Sequence, residues 1–140
     1  MRIASLLAIL VAGCMAAQAQ LPRSAAPDGA SVYIISPAQG ETVSNPVTVR
    51  FGLAGMGVAP AGVEMDKTGH HHLLVDLDEL PAMGLPVPTD DRHRHFGGGQ
   101  TEVTLELAPG EHTLQLLLGD HSHVPHDPPV ISEKITITVQ

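Results

Sequence analysis

From Ser31 onward the chain alternates apolar and polar residues in short runs, each closed by proline or glycine. Val47, Val49, Phe51 and Leu53 alternate with Thr48, Arg50 and Gly52, which places one set on a buried sheet face and the other toward solvent. A β-branched run at 31–36 stops at Pro37-Ala38-Gln39-Gly40, which reads as a turn. Further strands are predicted at 70–77, 101–107, 112–119 and 130–139, with Ala108-Pro109-Gly110 turning the chain between two of them. Residues 55–69, 80–99 and 120–129 are long connections, and the second has room for one more strand. No window carries a helical period. The pattern predicts an all-β, immunoglobulin-like antiparallel sandwich of about seven strands.

That topology gives the histidines their meaning. Eight of the nine fall in three clusters: His70-His71-His72, His93-Arg94-His95 and His121-Ser122-His123-Val124-Pro125-His126. In such a sandwich the connections before 70, before 101 and after 119 emerge at one end, so the three clusters are expected at one pole. His112, beside the Ala108-Pro109-Gly110 turn, belongs to the other. On the 70–77 strand, His71 shares a face with Leu73, Val75 and Leu77, the more apolar set, so His70 and His72 should point away from the core. Leu74 and Leu117 on that outer face call for a cover, which the proline-rich 80–99 segment can supply. It would carry His93 and His95 toward His70 and His72.

The beginning of the chain has a different composition. Residues 1–19 read as an export signal: Arg2, an apolar stretch, then Ala17-Gln18-Ala19 as a small-x-small cleavage site. Val11-Ala12-Gly13-Cys14 offers the alternative of a lipoprotein anchored through Cys14, the one way in which this chain would be held at a membrane. Residues 20–30 lack periodicity and read as a flexible linker, which leaves 31–140 as one domain. The expected location is periplasmic or secreted. Removal of Arg2 with the leader leaves six Lys+Arg against fifteen Asp+Glu, a formal charge of −9. Such a balance argues against nucleic acid and suits cations. Aromatic residues make up 2% of the chain, too few for a module that stacks sugars on exposed rings.

Cleavage after Ala19 removes the only cysteine, so a metal site in the exported domain must use nitrogen, oxygen or thioether sulfur. A His-x-His pair on extended backbone sets two imidazoles on one side, and neutral imidazole binds Cu(II) and Zn(II) well. The candidate ligands are His70, His72, His93, His95, His121 and His123, with His126 and Asp120 in support. Six imidazoles exceed one tetrahedral site. The expected cofactor is a copper or zinc ion, and the expected role is metal handling (storage, buffering or delivery). Met56, Met65 and Met83 would suit Cu(I) but equally fill a core. The competing reading is a non-enzymatic envelope module, in which the histidines form a structural or pH-responsive network presented to a protein partner. Ser122 between histidines does not make a hydrolase, since the chain has no Gly-x-Ser-x-Gly elbow. Gly97-Gly98-Gly99 lacks the Lys-Ser/Thr partner of a phosphate loop.

Four stretches carry a family resemblance: Gly55 to Gly62, Gly69 to Asp76, His95 to Glu102, and Leu116 through Pro129. Together they resemble the exported bacterial family known as domain of unknown function 4399, over about residues 31–140. The resemblance implies no established activity. His93-Arg94-His95-Phe96-Gly97 alone is similar to the His-x-His of copper-zinc superoxide dismutase, while the disulfide pair and the remaining ligand pattern of that family are missing.

Overall fold

The computed structural model describes residues 17–140 and is all-β. Most of the stretch read as an export signal, with Cys14, lies outside the described residues. Nine strands appear: β1 (Ser31–Ser36), β2 (Thr42–Val43), β3 (Val47–Ala54), β4 (Gly57–Val58), β5 (Thr68–Val75), β6 (His93–His95), β7 (Glu102–Leu105), β8 (Gly110–Gly119) and β9 (Ile135–Val139). One sheet has the order β1-β3-β7; the other runs β2-β9-β8-β5-β4, with β6 also paired to β5. No helix among the described residues is long and apolar enough to cross a membrane.

The two sheets close over one apolar core. Val32, Val49 and Phe51 of the first sheet meet Leu73, Val75, Leu114, Leu116, Leu118 and Ile137 of the second, as the period-two pattern requires. Leu74 and Leu117 face the opposite way and are nonetheless buried, because Val87, Leu77, Met83 and Ile131 pack on them. Burial of each such leucine is worth about 1.5–3 kcal/mol, which is the force that folds the 80–99 segment back over the sheet. The segment thus lays β6 antiparallel along the free edge of β5, opposite the edge that β8 occupies.

Strand limits differ from the sequence expectation where side chains compete for the ladder. The strand expected at 70–77 ends at Val75, because Asp76 turns to φ 54° and its carboxylate accepts from His112 Nδ1 and the Thr113 amide. The strand expected from 130 begins at Ile135, since the Ser132 hydroxyl takes the Leu116 amide in place of a carbonyl. Asn45 holds both backbone groups of Leu107 and stops β7 at Leu105.

Within residues 20–30, read from composition as a flexible linker, residues 23–26 bond along the β8–β9 loop. Ala26 donates to the Asp127 carbonyl and Asp127 to the Ser24 carbonyl, at 3.0 and 2.9 Å. Arg23 reaches the carbonyls of Pro125 and His126.

Candidate metal centre

Three segments bring four imidazoles together. β5 carries His70 and His72 on its outer face. Antiparallel pairing with β6 sets His95 opposite His72, and the β8–β9 loop supplies His123. One ring nitrogen from each of the four lies within 4.8 Å of all the others. His70 Nε2 stands 3.1 Å from His123 Nδ1 and 3.2 Å from His95 Nε2. With Zn–N bonds of 2.0–2.1 Å, neighbouring ligands of a tetrahedral site sit roughly 3.3 Å apart, so two pairs already stand at that spacing.

These contacts leave the ring nitrogens incompletely satisfied. A ring nitrogen carries either one N–H or one in-plane lone pair, so His70 Nε2 must divide one hydrogen bond between its two contacts. Nδ1 of His70 and both nitrogens of His72 are buried without a well-formed hydrogen bond, the Leu117 backbone offering His72 a weak one. Unpaired buried polar atoms cost about 1–3 kcal/mol each, and the natural relief for several converging lone pairs is a cation.

The electrostatics keep the rings ready to coordinate. Burial, followed by the neighbouring His123 and His95, pushes the His70 pKa from 6.5 down to about 4. Burial and then the same cluster take His72 to about 3. His95 is lowered by burial and by His123. All three stay neutral near pH 7, the form in which imidazole ligates.

The surrounding backbone is shaped to the rings. His123 adopts φ 67°, a left-handed conformation that costs a non-glycine residue about 1–2 kcal/mol and persists only where neighbours enforce it. The enforcing group is Asp120. Its Oδ1 accepts from the amides of Ser122 and Val124, its Oδ2 from the Ser24 hydroxyl, and its carbonyl from the His123 amide. Burial works against ionisation of Asp120, but the Ser24, Ser122 and Val124 donors outweigh it and hold the carboxyl below its usual range. At Gly97 a Cβ would stand 2.5 Å from His95 Cε1, so only glycine leaves that ring its place.

The remaining sequence candidates lie outside the four-ring group. His93 shares the strand face of His95 but sits opposite Leu74, where its Nδ1 donates to Asp90. His126 is buried and donates through Nε2 to the Thr68 carbonyl, with Nδ1 unpartnered. His121 lines a cavity of about 410 Å³ with Ser24 and Thr68. Asp120 supports the loop through its carboxylate, as described above. His71 faces the core, 5.2 Å from the Phe51 ring, and burial takes its pKa to about 4. Met56 and Met83 fill apolar clusters, while Met65 is exposed. At the opposite pole both nitrogens of His112 donate, to Asp76 and to the Ala108 carbonyl, and its pKa is raised by the Asp76 bond first. Gly97, Gly119, Arg23 and Ser24 were not among the expected site residues; a glycine's role as space for a ring has no signal in a single sequence.

No curated protein and no solved structure matches the chain. Residues 49–140, which hold all four imidazoles, match the family described as Domain of unknown function (DUF4399), and the chain belongs to that family.

Proposed function

We propose that the protein is an exported metal-handling protein that binds one copper or zinc ion through His70, His72, His95 and His123. The observation that carries this reading is the convergence of four ring nitrogens within 4.8 Å, with His70 Nε2 divided between two of them. Nitrogen donors without a carboxylate cage favour copper or zinc over magnesium or calcium. The site offers four protein ligands, and a catalytic zinc centre usually has three with a position left for water, so storage, buffering or delivery fits better than turnover. The formal charge of −9 on a chain cleaved after Ala19 suits a cationic cargo in the periplasm.

The test is titration of metal-stripped, untagged protein with Zn(II) and Cu(II). Binding of one ion per chain with a rise of several degrees in melting temperature is expected, since an ion at 100 times its Kd stabilises the fold by about 2.7 kcal/mol. An unchanged melting temperature with both ions overturns the reading.

A further inference from the structure

The segment before the first strand reaches the one loop that supplies a single ligand. His70 and His72 are fixed by β5 and His95 by its pairing with β5, whereas His123 lies in an irregular loop at a left-handed φ. Arg23, Ser24 and Ala26 bind that loop through hydrogen bonds, and Ala26 also packs against the main core. The Arg23 guanidinium donates from Nε to the Pro125 carbonyl at 3.0 Å and from Nη2 to the His126 carbonyl, and lies 3.6 Å from the Asp127 carboxylate. The Ser24 hydroxyl donates at 2.8 Å to Asp120, whose other oxygen shapes the turn around His123. The cavity of about 410 Å³ between this segment and residues 63–68 leaves it little packing on that side.

We infer that Arg23 and Ser24 are positioning residues for the fourth ligand: docking of residues 21–27 holds His123 in the site, and release of the segment leaves a three-histidine site of weaker affinity. This rests on the metal reading above. The segment thereby becomes the natural point of control for uptake and discharge, since moving it changes one ligand and leaves the β5 and β6 ligands in place. Arg23 presents a fork to two successive carbonyls, a geometry that the single ammonium of lysine does not reproduce.

The experiment compares full-length parent protein with Arg23→Ala/Ser24→Ala, Ser24→Ala, Arg23→Lys, His123→Ala and the triple combination, with Cu(II) alone as the probe. Affinity is read by competition with a chelator and the nitrogen count by the superhyperfine structure of the Cu(II) EPR spectrum; melting of the metal-free forms confirms that each is folded. Expected are four nitrogens in the parent and three in the double variant, with affinity lowered roughly 10- to 100-fold, the range for residues that orient a ligand. Ser24→Ala and Arg23→Lys should fall between. In the His123→Ala background the double substitution should cost nothing further. Equal losses with and without His123, or an unchanged nitrogen count in the double variant, overturn the inference and leave the metal reading standing. A parent that takes up no Cu(II) defeats both.

Discussion

Gly119 leaves the space that the His72 ring occupies: a Cβ on Gly119 would stand 2.7 Å from His72 Cε1 and 3.2 Å from its Nδ1. The two residues lie on adjacent strands, β8 and β5, whose pairing sets His70 opposite Gly119 and His72 opposite Leu117. Gly119→Ala should therefore push the His72 ring out of line with its three partners. We expect metal affinity to fall on the order of 10- to 100-fold, as for other changes that disturb ligand orientation. Isothermal titration of Gly119→Ala and Gly97→Ala checks this, and parent-like affinity in both would refute it.

Among the six imidazoles named as ligands from sequence, substitution should sort them into two groups. His70→Ala, His72→Ala, His95→Ala and His123→Ala each remove one member of the converging set and should severely weaken binding of Zn(II). His93→Ala and His121→Ala should leave affinity within a factor of a few, since His93 is committed to Asp90 and His121 lies on the cavity side of the loop. A competition assay with a zinc chelator reads the difference; losses of the same size in both groups would contradict it.

His71 offers a control on the opposite face of the strand. Both of its ring nitrogens are buried without a well-formed hydrogen bond, the Gln100 backbone offering a weak one, and the ring lies 5.2 Å from Phe51. Replacing an unsatisfied buried ring with an apolar side chain of similar volume removes a penalty of about 1–3 kcal/mol. His71→Leu is expected to raise the melting temperature of the metal-free protein without changing metal affinity. A lowered melting temperature would show that His71 contributes more than it costs.

The pH dependence has a definite sign. His70 and His71 at about 4 and His72 at about 3 bind protons less readily folded than unfolded, where 6.5 applies. Their contribution to stability is complete above pH 6.5 and is lost as pH falls toward 4. Each such ring adds a slope approaching about 1.4 kcal/mol per pH unit in that window. His112, whose pKa is raised, works in the opposite sense and offsets a part. Denaturant unfolding of metal-free protein from above pH 6.5 down to about 4 should show the decline; constant stability would contradict it.

The readable and unreadable parts of this chain divide by the range of the interactions that fix them. β3 was legible because alternating burial leaves a period of two, β1 because its β-branched run closes on a turn, and Leu74 with Leu117 announced a cover over the outer face. Two-residue strands such as β2 and β4 are too short to hold a period. Which histidine of each His-x-His pair joins the centre was equally invisible, because His93 and His95 share a face and only the register against β5 separates them. The choice of His123 over His121 depends on a turn built by the Asp120 side chain. Composition marked residues 20–30 as a flexible linker, since the hydrogen-bond partners of Arg23, Ser24 and Ala26 lie about a hundred residues along the chain, as the separation of 102 between Arg23 and Pro125 illustrates.

His70 and His123 touch although 53 residues separate them, and the four rings come together only when β5, β6 and the β8–β9 loop are all in place. A nascent or denatured chain has no such meeting point and can offer an ion little more than isolated side chains. On the proposed reading, loading would follow folding, and the bound ion would certify that the three segments have met. Melting of the loop alone would withdraw His123 and loosen the hold on the ion while the sandwich survives.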